Sequence, residues 1–143
     1  APRLTAWYAN SGCSYQYSGI SRLGEPWTKC LAGTCALIKR RLRHPFDFML
    51  ANRYRSGSDY VGWHSDNERD MGEHPVIASL SLGASRVFRV RPRSGGKSKG
   101  LLLRHGSLLV MWGDSQSLFK HSVPRTAQPV GERVNLTFRY VST

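Results

Sequence analysis

A mainly β domain (α+β), a β-sandwich or jelly roll with one supporting helix near the N-terminus, is what this sequence predicts. Three observations carry the prediction. The chain has 143 residues, enough for one compact core and too few for two. Only one stretch repeats its apolar residues at helical spacing. After it come many short runs rich in β-branched and aromatic residues, separated by glycine-bearing turns, a pattern that suits packed sheets better than alternating βα units.

The helix comes first in the argument. From Pro26, a suitable first helical residue, apolar positions recur at Trp27, Cys30, Leu31, Thr34, Cys35, Ile38 and Leu42. The basic cluster Lys39, Arg40, Arg41 and Arg43 suits a helix C-terminus. The strand-like runs follow in order: "FDFMLANRY", "YVGWH", "VIASLSLG", "RVFRVR", "LLLR", "SLLVMW" and "RVNLTFRY", with turns such as "SGSD" and "HGS" between them. Within this series "RPRSGGKSKG", residues 91–100, reads as the flexible basic tip of a hairpin rather than a linker. No internal repeat interrupts the series.

Lysine and arginine number 21 against nine acidic residues, for a net charge of +12. A field of that sign attracts polyanions, so nucleic acid is the leading macromolecular partner. Three cysteines (Cys13, Cys30, Cys35) without a CxxC spacing argue against a disulfide framework and a zinc-thiolate site, and point to a reducing compartment. There is no apolar run of membrane-spanning length, no signal region and no initiator methionine. Residues 1–143 are therefore expected to be one soluble intracellular domain, cytoplasmic or nuclear according to its source, cut from a longer protein and acting as a monomer.

Chemistry enters with "GWHSDNE". His64 and Asp66, two apart on a strand, would point to one face, and "LFKHSVP" supplies His121 on another extended segment. Two imidazoles and one carboxylate that leave metal positions open are the set used by non-haem Fe(II) oxygenases. A surface hydrogen bond between His64 and Asp66 is the plainer alternative. His105 sits in a turn, and His44 and His74 precede prolines, positions that suit turn chemistry or solvent.

"RVNLTFRY" is the most informative run. Alternation puts Arg133, Asn135, Thr137 and Arg139 on one face, and Val134, Leu136, Phe138 and Tyr140 on the other. Two arginines facing a core need anions, because a buried unpaired charge costs several kcal/mol. A small dicarboxylate such as 2-oxoglutarate, one end on iron and the other on a guanidinium, would satisfy both. In "LANRY", Asn52 and Tyr54 share a strand face and could donate to the same ligand. The alternative has the arginines paired with surface carboxylates on an edge strand.

With "NRY", "HSD" and its distant histidine, "ASLSLGASRVF", "HGSLLVM" and "RVNLTFR" in this order, the chain resembles the AlkB family of Fe(II)/2-oxoglutarate-dependent nucleic-acid demethylases. The opening "PRLTAWYANSGCSYQYSG" is similar to its DNA- and RNA-repair branch. The resemblance spans nearly the whole chain and implies a double-stranded β-helix, the cupin-like form of the jelly roll. It further implies that His64, Asp66 and His121 bind Fe(II), and that Asn52, Tyr54, Arg133, Asn135 and Arg139 hold 2-oxoglutarate. Arg133 would take the distal carboxylate and Arg139 the one near the metal. Tyr15, Tyr17, Ser18 and Glu68 would line the base pocket, with Trp7 and Tyr8 as further candidates. Related proteins carry sequence before "PRLT" that helps form the lid over the nucleotide, a segment expected to be absent or trimmed away here.

The implied activity is oxidative demethylation of N-alkylated bases, of the 1-methyladenine and 3-methylcytosine type, in DNA, RNA or both. Dioxygen is consumed, and succinate and formaldehyde are released. Glu68 would favour the positively charged rings of such lesions, and aromatic faces would read the flipped base. Residues 91–99 and 39–43 would contact phosphates. Two other readings fit the residues: a 2-oxoglutarate oxygenase acting on a protein or small molecule, and a non-catalytic nucleic-acid-binding module that keeps the fold.

Overall fold

The structure, a computed structural model, describes residues 1–17, 20–67 and 69–141. Three short strands, β1 (Leu4–Ala9), β2 (Ser14–Tyr17) and β3 (Ile20–Leu23), precede helix α1 (Lys29–Leu42). Then come β4 (Phe48–Tyr54), β5 (Val61–His64), β6 (Ile77–Gly83), β7 (Arg86–Pro92), β8 (Lys99–Leu103) and β9 (Leu108–Met111). A four-residue helix, α2 (Ser115–Leu118), leads into β10 (Phe119–Val123) and β11 (Arg133–Arg139).

Among the described residues the strands form a five-stranded sheet, β1-β4-β11-β6-β9, a four-stranded sheet, β5-β10-β7-β8, and the β2-β3 hairpin. From β4 onward the chain changes sheet at every connection except the β7–β8 hairpin. That antiparallel wrap is a jelly roll, and it closes a sandwich whose two inner faces meet. β1 extends the larger sheet by pairing with β4. The basic stretch 91–100 is the β7–β8 tip, as its glycines predict. No described helix is long and apolar enough to cross a membrane.

The helix differs from its sequence reading at the start. It begins at Lys29, because Thr28 is extended and its hydroxyl accepts from the Leu31 N–H at 3.2 Å. Pro26 lies outside it. Trp27 leaves the helical face with it: its ring stacks parallel to Phe138 at 6.5 Å and its N–H donates to Asn10 Oδ1 at 2.8 Å. Cys30 is exposed, whereas Cys35 and Ile38 are buried. At the other end Arg43 takes a left-handed conformation and its N–H bonds to the Lys39 carbonyl.

β11 lies between β4 and β6, so its arginines do not sit on an edge. Its outward residues Leu136 and Phe138 pack with Met49 and Ala78 under Cys35 and Ile38 of α1. Its inward residues Arg133, Asn135, Thr137 and Arg139 are also buried. Both faces are thus covered, one apolar and one polar. Gly83 ends β6 at φ +88°, and a Cβ there would lie 2.5 Å from the Glu132 carbonyl oxygen. Glycine is what lets β6 stay in register with β11 up to Arg133.

A buried arginine ties down the loops at one end of the sandwich. Arg86 donates to the carbonyls of Ser56, Asp59 and Pro124 at 2.7–3.1 Å. In the same loop Asp59 accepts from Arg55 Nε at 2.8 Å and from its backbone N–H at 2.9 Å, and these bonds hold its carboxyl down to about 2. A lowered carboxyl contributes stability that is present above its ordinary value near 4 and lost as pH falls toward 2. Asp59→Asn is therefore expected to flatten the fall in melting temperature between pH 4 and pH 2, as scanning calorimetry would show. An unchanged acid profile would contradict the assignment.

Candidate active site

The site is built where β5 and β10 face the polar side of β11. His64 and His121 are direct partners across the β5–β10 ladder, with ring centroids 4.3 Å apart. Asp66 is not on a strand as its spacing suggests, because β5 ends at His64. The carboxylate nevertheless turns inward. Ligand atoms of His64, Asp66 and His121 all lie within 4.8 Å of one another. His64 Nε2 is 3.8 Å from Asp66 Oδ1, and His121 Nε2 is 3.3 Å from Asp66 Oδ2.

Neighbours fix the protonation of this cluster. His64 Nδ1 lies 2.7 Å from the Gly62 carbonyl, a contact that needs the proton on Nδ1 and leaves the Nε2 lone pair facing Asp66 and His121. Burial pushes the His64 imidazolium down, so the ring is neutral at neutral pH. Burial pushes the Asp66 carboxyl up, but the Arg139 guanidinium, 3.5 Å away, and the hydrogen bond with His121 outweigh it. The net shift is downward, and Asp66 is ionised. A neutral His64 and an ionised Asp66 are the forms in which these two groups bind a divalent metal. Phe88 stacks on His121 at 5.2 Å and keeps that flank apolar.

The pocket beside the cluster is lined by Asn52, Tyr54, Arg133, Asn135 and Arg139, all five residues expected to meet a dicarboxylate. Arg133 is 1% exposed. Its Nη2 donates to Ser81 Oγ at 3.0 Å and its guanidinium lies 5.1 Å from the Tyr54 ring centre, yet Nε and Nη1 have no hydrogen-bond partner. Burial opposes its charge. Two buried N–H groups without a protein partner, on a side chain that lines the pocket, are what a carboxylate satisfies through paired hydrogen bonds, so the residues present fit 2-oxoglutarate. Burial also raises the Tyr54 phenol, which keeps its proton and can donate. Asn52 Nδ2 donates to Asn135 Oδ1 at 3.3 Å, and Thr137 Oγ1 to the same oxygen at 2.8 Å, so this polar wall is pre-organised.

Sequence reading missed several pocket residues. Arg3, ahead of β1, donates to Asn52 Oδ1 at 2.8 Å and reaches the lining. No periodicity marks it. Ser79 also lines the pocket, and alternation in "IASLSLG", which sets Ser79 opposite the leucines, is the signal that could have found it; Asn135 Nδ2 donates to Ser79 Oγ at 2.5 Å. Of the further base-pocket candidates, Trp7 packs on Phe48, ring centres 5.6 Å apart, and Tyr8 packs with the cluster beneath α1. Tyr15 and Tyr17 fall in β2, but their side chains, with Ser18 and Glu68, lie outside the described residues. In the basic tip, Arg91 lies 4.2 Å over the Trp63 ring, while Arg93, Lys97 and Lys99 are exposed.

The chain matches the 2OG-Fe(II) oxygenase superfamily over residues 2–139. It is 41% identical over 150 residues to the mouse "Alpha-ketoglutarate-dependent dioxygenase alkB homolog 3", covering 98% of this chain and 52% of that protein. It is 37% identical over 148 residues to the human "DNA oxidative demethylase ALKBH2", covering 98% of this chain and 57% of that protein. The chain thus spans about half the length of the curated relatives it matches. A solved structure titled "The structure of OsALKBH1" superposes with a TM-score of 0.57 at 22% identity, over 77% of this chain and 59% of that one, which supports the jelly-roll fold. Fe(II), 2-oxoglutarate and dioxygen are the cofactor and co-substrates that such a family implies. The match over almost all residues agrees with the polar core of this sandwich: the chain belongs to the 2OG-Fe(II) oxygenase superfamily, and within it is similar to AlkB homologues.

Proposed function

We propose that residues 1–143 act as a catalytic domain for oxidative demethylation of N-alkylated bases, such as 1-methyladenine and 3-methylcytosine, in DNA, RNA or both. The observation that carries the proposal is the inward face of β11. Arg133, with two buried N–H groups that have no protein partner, lines the same pocket as Asp66, Arg139 and the two histidines. A structural jelly-roll core has no use for that combination, since each buried polar group lowers stability unless something binds it.

In this reading His64, Asp66 and His121 hold Fe(II). Arg133, with Tyr54, would hold the distal carboxylate of 2-oxoglutarate and Arg139 the end near the metal, while Asn52 and Asn135 complete the polar wall beside it. When bound, Fe(II) with 2-oxoglutarate and dioxygen supplies the two-electron oxidation of the N-methyl group, with succinate and carbon dioxide as by-products. Phe88, packed flat on His121, excludes water from the metal flank. Tyr15, Tyr17 and Ser18 receive the flipped base, and Glu68 favours a ring that carries positive charge. Exposed Arg93, Lys97 and Lys99, and Lys39, Arg40, Arg41 and Arg43 at the end of α1, hold phosphates without reading sequence. Similarity to proteins named as a DNA demethylase and an alkB homologue supports the substrate class.

The test is mass spectrometry of a single-stranded oligonucleotide bearing one 3-methylcytosine, incubated with protein, Fe(II), ascorbate and 2-oxoglutarate. Loss of one methylene mass with wild type, and none with His64→Ala, is the expected result. Succinate without a change in the oligonucleotide would move the substrate to another class. No succinate at all would defeat the catalytic reading.

A further inference from the structure

We propose that Gln116 is the positioning residue for Asp66: its side-chain amide fixes the backbone that presents this carboxylate to the metal. The proposal rests on reading His64, Asp66 and His121 as the iron ligands. Asp66 lies two residues beyond the end of β5, so no strand ladder holds it. Its backbone N–H instead donates to Gln116 Oε1 at 2.7 Å. Because a backbone N–H can only donate, the amide orientation is fixed: Oε1 faces Asp66, and Nε2 faces Met111 Sδ at 3.4 Å.

Gln116 is 2% exposed, among the most buried large side chains of the molecule. A buried amide lowers stability unless both ends are engaged, and here both are, one of them on the ligand segment itself. A second contact grips the same segment, since Ser65 Oγ donates to the Phe119 carbonyl at 2.6 Å. Gln116 and Phe119 belong to the short stretch that runs into His121. One local unit therefore sets the spacing between the second and third ligands, although 55 residues separate Asp66 from His121 in sequence. Partners that orient ligands in this way typically account for about 10- to 100-fold in metal affinity.

The test needs no turnover. Co(II), a spectroscopic substitute for Fe(II), is titrated into the apoprotein and followed by its visible absorption, while hydrogen exchange reports protection of the Asp66 amide. Gln116→Met keeps the volume but removes the acceptor, and Gln116→Asn keeps the amide but shortens its reach. Both are expected to weaken Co(II) about 10-fold or more and to expose the Asp66 amide, and Gln116→Glu, which keeps an acceptor oxygen in place, to retain both properties within a few-fold. The proposal is overturned if Gln116→Met or Gln116→Asn, folded by circular dichroism, binds Co(II) as tightly as wild type, or if Gln116→Glu weakens it as much as they do. Wild type that fails to bind Co(II), or His64→Ala that binds it unchanged, would defeat the metal-site reading itself and the proposal with it.

Discussion

Asp66→Ala is expected to lose metal binding and turnover together, and stability as well. Removal of a direct ligand should exceed the roughly 10- to 100-fold typical of outer partners. The second effect comes from Arg139, which is 3% exposed and 3.5 Å from the Asp66 carboxylate. Taking one partner out of a buried ion pair typically costs about 3 kcal/mol, because the other charge stays behind. Asp66→Asn keeps the shape and removes the charge, so it should bind metal poorly while packing better than alanine. Urea midpoints beside Co(II) titrations would decide the matter: an Asp66→Ala protein as stable as wild type would mean that Arg139 draws its compensation from elsewhere.

Arg133→Met should do the opposite to stability. The arginine is buried, its charge is opposed by its surroundings, and Nε and Nη1 have no hydrogen-bond partner among the described residues. Methionine fills a similar space without a charge. The apoprotein is then expected to gain about 1–3 kcal/mol, the usual cost of an unsatisfied buried polar group. Turnover should fall by more than 1,000-fold at ordinary 2-oxoglutarate concentrations, on the order of 4 kcal/mol, from loss of a charge-assisted paired contact. Added 2-oxoglutarate should raise the melting temperature of wild type in the presence of Co(II) and leave the variant unmoved. A variant that is both less stable and still active would show that Arg133 serves the scaffold.

Much of this was legible because β structure alternates with period two. In 133–139 that alternation separated a polar face from an apolar one, and the structure places both where the pattern requires. Helix α1 was legible from its spacing, but its first turn was not, since the hydroxyl of Thr28 starts it and Pro26 merely precedes it. The placement of Asp66 was wrong in detail although it meets the histidines: the strand stops at His64, and hydrogen bonds from 50 residues away finish the job. Gln116 and Arg3 carried no signal at all. Each acts through one tertiary hydrogen bond, which leaves no period in the chain.

The order of the larger sheet, β1-β4-β11-β6-β9, also bears on how the molecule assembles. Its central strand is the last one in the sequence, and its partners β4 and β6 lie roughly 50–90 residues upstream. Closing such long loops must precede any reward from pairing, which makes the search slow and strongly cooperative. Helix α1 packs with Phe46 and Met49 early in the chain, but its cover is complete only when Leu136 and Phe138 arrive. During synthesis His64 emerges long before both arginines of β11 and His121 shortly before them, so the pocket cannot be complete until β11 has been made. Chain released at residue 132 would lack the middle of the sheet and should remain unfolded, a natural substrate for chaperones and proteases.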